Sequence, residues 1–307
     1  MNTLRRALGE YLEMRRNLGF KLQRVGPRLL DFVAFLERRG GSFITTELAL
    51  AWAKMPEEAE AATWAQRLSY VRLFARYRRA VDPRTEVPPP GLLPYRPTRS
   101  QPYLYSDREI SRLLQAARKL PRIGLRPVTY YCFLGLLSVS GLRVGEAQNL
   151  ELRDVDLKQS ILTIRGAKFG KDRLVPVHPS TVRVLARYIA QRQSKWREQT
   201  IAPYLFLSSL GNRLDGGDIR KTFHKLSRQI GIRGAGDHRG PRLHDFRHRF
   251  ASNSLLRWYK AGKDPEQQLP LLATYLGHVG WANTYWYLSA QPALMKEAMS
   301  RLENRWQ

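Results

Sequence analysis

No single helix or sheet can run through Pro88-Pro89-Pro90-Gly91, Pro94, Pro97 and Pro102. Each proline removes a backbone donor and pushes the residue before it away from the helical region. Residues 88–102 therefore read as a semi-rigid linker. It divides the 307 residues into a first domain, 1–87, and a second, 103–307, since so long a chain exceeds one ordinary helical core. Hydrophobic residues make up 43 % of the chain, enough for both parts to bury a core.

The first part reads as helical. Leu4, Leu8, Tyr11, Leu12 and Leu18 recur near a helical period, and Leu29, Leu30, Val33, Phe35 and Leu36 mark a second helix that stops at Gly40-Gly41. Thr46 is placed to cap a third, running to Lys54. A fourth, from about Thr63 to Ala80, has Trp64, Leu68, Val71 and Ala75 on its apolar side. Arg72, Arg76 and Arg79 form a neighbouring stripe. Such a stripe is either a solvated face or a phosphate-contacting one, and the charge of the chain favours the second.

The second part opens with Ser106-Asp107-Arg108-Glu109, a capping-box pattern. Val128 to Val139 reads as a buried helix, and Ile161–Ile164 and Arg173–Val177 as two short strands joined by a turn that carries Lys168, Gly170 and Lys171. Helices resume from about Gly217. The expected class is mostly α with a small antiparallel hairpin or sheet.

Fifty-two Lys and Arg face 26 Asp and Glu, a net charge of +26. Such a field draws polyanions, and nucleic acid is the leading partner because each neutralised phosphate releases counterions. The basic residues are spread along the whole chain, which disfavours a membrane surface. No stretch approaches 18 uncharged apolar residues, so no membrane span is expected. No secretory signal is expected from the N-terminal residues. The one cysteine, Cys132, sits in an apolar run, reads as a small core residue, and fits a reduced, cytoplasmic compartment.

Four segments carry possible chemistry. In Ser140-Gly141-Leu142-Arg143-Val144-Gly145-Glu146, an arginine leaves an apolar helix and starts an amphipathic one, with Glu146 a helical turn on. In the turn around Lys168, a lysine can reach a DNA groove or donate a proton; taken alone it is an exposed basic turn. In His244-Asp245-Phe246-Arg247-His248, His244 and Arg247 share a helical face and suit an oxyanion. His244 and His248 also have the spacing of a metal pair, but Arg242, Arg247 and Arg249 surround the lone carboxylate, Asp245, and would repel a cation. No metal or other cofactor is expected. The last segment is Leu276-Gly277-His278 followed by Thr284-Tyr285-Trp286-Tyr287.

Singly, each pattern is common. In this order, over about residues 103–290, they resemble the catalytic half of the tyrosine recombinases, the phage-integrase-like enzymes; the first part resembles that family's helical core-binding domain in length, helicity and charge. The resemblance implies a C-shaped clamp of two domains on duplex DNA. It assigns Arg143 and Arg247 as the catalytic arginines, Lys168 as the hairpin lysine, His244 as the histidine of His-x-x-Arg, and His278 as the histidine after Leu-Gly. Tyr287, nine residues beyond His278, becomes the nucleophile in preference to Tyr285, and the register of the second strand favours Lys168 over Lys171. By the same resemblance His244 is the candidate base and Lys168 the candidate acid, and the segment after Pro292 docks on a neighbouring protomer in a tetramer that joins two DNA sites. The rivals are a type IB topoisomerase-like nicking-closing enzyme and a catalytically silent architectural DNA-binding protein.

Overall fold

The computed structural model describes residues 3–94, 101–166, 172–197, 201–237 and 240–278, with Thr284, Met299 and Glu303. The chain divides into two compact units, residues 1–100 and 101–307.

Among its described residues the first unit holds four helices: α1 (Thr3–Asn17), α2 (Val25–Arg38), α3 (Thr46–Lys54) and α4 (Ala61–Arg79). Their apolar stripes close on a core that includes Leu8, Phe32, Trp52, Leu68 and Phe74. The spacing of apolar residues anticipates this core with two exceptions. Leu18 lies beyond the end of α1 and is 65 % exposed, and Leu30, one residue off the stripe of α2, is 48 % exposed. The cap of α3 is Thr45 rather than Thr46; its hydroxyl accepts from the Leu48 N–H at 3.2 Å. Arg72 is occupied within the fold, donating to the carbonyls of Pro88 and Pro89 at 2.7 and 2.9 Å. Of the expected stripe, Arg76 and Arg79 remain exposed.

The second unit is built on α5 (Asp107–Arg118), α6 (Arg126–Ser140), α7 (Val144–Asn149), α8 (Pro179–Lys195), α9 (Gly216–Gln229), α10 (Asp245–Lys260) and α11 (Pro265–Leu276). Ser106 and Glu109 close the expected capping box on α5. The buried helix is α6, whose Phe133 meets Phe206 edge-on at 5.3 Å and whose Cys132 is a buried free thiol, pushed up to about 12 by desolvation. Helix α8 is an addition to the sequence reading. Its start was legible, with Pro179 in the first turn after His178, whose ring accepts from the Ser180 N–H.

Three antiparallel strands form a sheet in the order β1 (Val155–Asp156), β2 (Ile161–Ile164), β3 (Arg173–Pro176). Leu162 pairs with Val175 and Ile164 with Arg173. Leu162, Ile164 and Val175 enter the core, which fixes the register, because a one-residue slip would turn that apolar set outward. The turn bearing Lys168 leaves Ile164 and returns at Arg173; residues 167–171 lie outside the described set. Among the described residues, no helix is long and apolar enough to cross a membrane.

Candidate active site

Three chain segments meet in the second unit. The first is the junction of α6 and α7. Gly141 ends α6 with φ of +60°, a conformation that costs a side-chain-bearing residue about 1–2 kcal/mol. A Cβ there would also lie 2.5 Å from the Phe250 ring. The chain then turns outward through Arg143, the extended residue that caps α7. Glu146, one turn on, reaches back to accept from the Arg143 backbone N–H at 2.9 Å and from its guanidinium at 2.7 Å.

The second segment is the start of α10. Asp245 is buried and accepts from the Arg242 backbone N–H at 2.8 Å and from the Arg242 guanidinium at 2.9 Å. The phenol of Tyr105 donates to the Arg242 carbonyl at 3.0 Å, and its ring stacks on Phe246 at 4.7 Å. Burial pushes that phenol well above its ordinary value, so it stays neutral. His244 precedes the helix, and Arg247, in the first turn, is 1 % exposed.

The third segment is the end of α11. Gly277 adopts φ of +65° and donates its N–H to the Thr274 carbonyl, while the His278 N–H reaches back to Ala273. This is a Schellman cap, and it explains the glycine of Leu-Gly-His. Such a cap leaves the last carbonyls of the helix able to accept further donors, and each takes an arginine. Arg173 donates to the carbonyl of Tyr275 at 2.9 Å, Arg247 to that of Leu276 at 2.6 Å, and Arg143 to that of Gly277 at 3.0 Å. Arg247 also donates to the carbonyl of Gly141 at 2.9 Å, tying the first segment to the third. A helix C-terminus carries partial negative charge, so its carbonyls offset part of the repulsion among the three guanidiniums gathered there.

The field of these arginines acts on their neighbours. Burial works against ionisation of Glu146, but hydrogen bonds from Arg173 and from Arg143 outweigh it and hold the carboxyl at about 2. Desolvation, then the charges of Arg247, Arg143, His244 and Arg173, pull His278 down to about 4. Desolvation and Arg247 also lower His244, against a smaller opposing effect of Asp245. Both imidazoles are therefore neutral near pH 7 and able to donate or accept a proton. Nδ1 of His278 lies 2.8 Å from the Thr284 hydroxyl, and the tautomer in which Thr284 donates leaves a proton on Nε2.

The structure thus brings together Arg143, His244, Arg247 and His278 from sequence positions more than 130 residues apart. Lys168 and Tyr287 lie outside the described residues, as do Tyr285, Lys171 and most of the segment after Pro292. The sequence reading noted Glu146 without giving it a function; the structure makes it the brace of Arg143. It missed Arg173 and Thr284 altogether. Arg173 had a faint signal, an arginine at the first inward position of an otherwise apolar strand. The rings of His244 and His248 are edge-on with centroids 4.8 Å apart. Among the described residues, no group of three or more histidines, cysteines or carboxylates is placed to hold a metal ion.

Residues 104–293 match the model of the phage integrase family. A protein of Sinorhizobium fredii (strain NBRC 101917 / NGR234) that carries the name integrase/recombinase y4rB is 61 % identical over 311 residues, covering 100 % of this chain and 99 % of that protein. The tyrosine recombinase XerA of Pyrococcus horikoshii is 32 % identical over 169 residues, 54 % of this chain and 52 % of its own length. Among solved structures, the integrase of transposon Tn1549, in complex with transposon right end DNA, is similar in fold: TM-score 0.68 at 17 % identity, over 97 % of this chain and 98 % of that one. By the family model over residues 104–293 and the relative that is 61 % identical along the whole of this chain, the chain belongs to the phage integrase family: it is a tyrosine recombinase.

Proposed function

We propose that this recombinase cuts and rejoins duplex DNA at defined sites through a 3′-phosphotyrosyl intermediate on Tyr287, with no ATP and no metal ion. The observation that carries the reading is the gathering of Arg143 and Arg247 at the end of α11, beside two neutral histidines. A phosphodiester resists attack because its charge repels a nucleophile. Two fixed guanidiniums offset that charge, and their forked donors suit the non-bridging oxygens. A guanidinium has five N–H donors, so Arg143 can hold Glu146 and Gly277 and still present donors to a phosphate.

In the forward step the Tyr287 oxygen bonds to phosphorus and its proton passes to His244. The bond from phosphorus to the 5′ oxygen breaks, and that oxygen takes a proton from Lys168. His278 donates to a non-bridging oxygen. Rejoining runs the same step backwards, and the bond energy stored on tyrosine makes an external energy source unnecessary. Residues 103–307 are the catalytic domain in this reading, 88–102 the linker, and 1–87 the core-binding domain, whose exposed Arg76 and Arg79 contact phosphates. The working assembly is a tetramer of this chain on two DNA sites, acting in the cytoplasm on a mobile element.

The test is a nicked suicide duplex drawn from the flanks of the gene. Wild type should form a covalent adduct, digestion should yield a nucleotide-linked peptide containing Tyr287, and Tyr287→Phe should form none. An adduct on Tyr285 would overturn the assignment. Supercoil relaxation with no exchange between two sites would favour the topoisomerase-like alternative, and duplex binding without any adduct the silent one.

A further inference from the structure

Arg173 has the contacts of a working part of the site, although its donors are turned onto protein atoms. Its side chain is 10 % exposed and grips Glu146 with a two-pronged fork, NH2 to Oε2 at 2.8 Å and NH1 to Oε1 at 3.0 Å. Its remaining nitrogen, Nε, donates to the carbonyl of Tyr275. All three nitrogens are therefore committed inside the protein. The other two arginines at the end of α11 are the pair proposed to bind phosphate; Arg173 is the third, and its partners are protein atoms on two different segments.

Its position in the chain gives those contacts a purpose. Arg173 is the first residue of β3, paired with Ile164, the last residue of β2. The turn with Lys168 hangs between these two residues. Arg173 is thus the point where the base of the hairpin is bolted to α7, through Glu146, and to α11, through Tyr275. The carboxylate it holds is the same one that holds Arg143. The neighbouring backbone has made room for it: a Cβ on Gly277 would lie 2.9 Å from NH1 and 3.1 Å from Cζ of Arg173. The glycine before His278 is thus required by the arginine as well as by its own φ.

We infer that Arg173 is a positioning residue that sets the hairpin, and with it Lys168, relative to Arg143 and the attacked phosphate. This rests on the reading of Lys168 as the proton donor to the 5′ oxygen. A lysine on a short turn can approach a leaving oxygen from many directions, and only an anchored base fixes which one. Without the fork, the hairpin keeps the β2 ladder and the packing of Val175 in the core, but its first β3 residue loses the tie to α7. Proton delivery then suffers more than charge stabilisation does, and a misplacement of about 1 Å costs on the order of 100-fold in rate.

The inference predicts a signature that lost stability does not produce. Single-turnover cleavage is measured on two nicked duplexes, one with an ordinary phosphate and one with sulfur in place of the bridging 5′ oxygen, a leaving group that needs no acid. On the ordinary substrate Arg173→Ala should be slower by about 100-fold, and the sulfur substrate should recover most of that loss. Arg143→Ala should be slow on both, because its charge is needed whichever atom leaves. Arg173→Lys, which keeps the charge but not the fork, should show the same raised ratio of sulfur to oxygen rates and serves if Arg173→Ala does not fold. Equal losses on the two substrates, for either Arg173 variant, overturn the inference. A wild-type protein that forms no adduct, or a Lys168→Ala variant that sulfur does not rescue, refutes the underlying reading instead, and does so before any Arg173 variant is compared.

Discussion

Replacing Glu146 with glutamine removes one negative charge from the centre of an arginine network and keeps its shape. The carboxylate accepts four donors: the Arg143 backbone, the Arg143 guanidinium and both prongs of Arg173. Its carboxyl is held at about 2, against an ordinary 4.5. A tenfold change in a protonation equilibrium is worth about 1.36 kcal/mol, so ionised Glu146 contributes roughly 3 kcal/mol to folding at neutral pH. That agrees with the ~3–5 kcal/mol usually lost when one partner of a buried ion pair is removed. The pH dependence follows with a definite sign. Because the folded value lies below the unfolded one, the contribution is complete above about pH 4.5 and is lost as pH falls toward 2. The assay is urea unfolding of wild type and Glu146→Gln, followed by a probe in the second unit, at a series of pH values. The difference between the two proteins cancels the other carboxylates. It should be roughly 3 kcal/mol at pH 7 and smaller by about 1.4 kcal/mol at pH 3.5. A difference below about 1 kcal/mol at pH 7, or one that does not shrink in acid, would refute the argument that this carboxylate braces the arginines.

Gly141→Ala meets both a positive φ and the Phe250 ring at 2.5 Å; it should destabilise the second unit by about 2–4 kcal/mol and lower the cleavage rate, since the Gly141 carbonyl is a partner of Arg247. A melting temperature unchanged from wild type would count against it. His278, held at about 4, should stay neutral through the neutral range. A histidine with a lowered value stabilises the fold above its unfolded pKa, and that stability is lost as pH falls from about 6.5 toward 4. Wild type should therefore lose melting temperature in that window more steeply than His278→Gln, and identical slopes would show that burial does not restrain the ring. Tyr105→Phe deletes the hydrogen bond to the Arg242 carbonyl and keeps the stacking on Phe246; the expected loss is about 1 kcal/mol, read by urea unfolding, and a loss above about 3 kcal/mol would mean that the hydroxyl supports more of α10 than this one contact.

The helices of the first unit could be read from the sequence because their cores obey a local rule. Leu4, Leu8, Tyr11 and Leu12 fall on one stripe whatever packs against it. Leu18 and Leu30 failed because apolar character does not say where a helix stops or how wide its buried stripe is. The site was legible in a different sense. Arg143, His244, Arg247 and His278 each sit in an unremarkable local pattern, and only their order along the chain pointed to a common chemistry. What the sequence did not reveal is what holds them. The bond from Arg143 to the Gly277 carbonyl spans 134 residues, and that from Arg247 to Gly141 spans 106. Backbone carbonyls have no sequence signature, so the partners of the arginines stayed hidden, as did Arg72 turned onto the proline segment.

Those hidden partners bear on how a protein of net charge +26 keeps several cations at one helix end before DNA arrives. A single carboxylate cannot neutralise Arg143, Arg173 and Arg247, and adding more carboxylates would weaken the attraction for phosphate. Carbonyls at a helix end solve this by offering partial negative charge at fixed points while adding no net charge. The arginines are oriented, yet the site stays positive; burial first, and the arginine charges after it, lower His244 and His278. On the proposed function, an incoming phosphate would meet donors that need little rearrangement, and preorganisation of this kind is where electrostatic catalysis gains most over water. The cost falls on the apoprotein, whose second unit carries unbalanced positive charge beside buried imidazoles. Duplex DNA that binds the folded unit should relieve that repulsion as part of its affinity, and so raise the unit's stability.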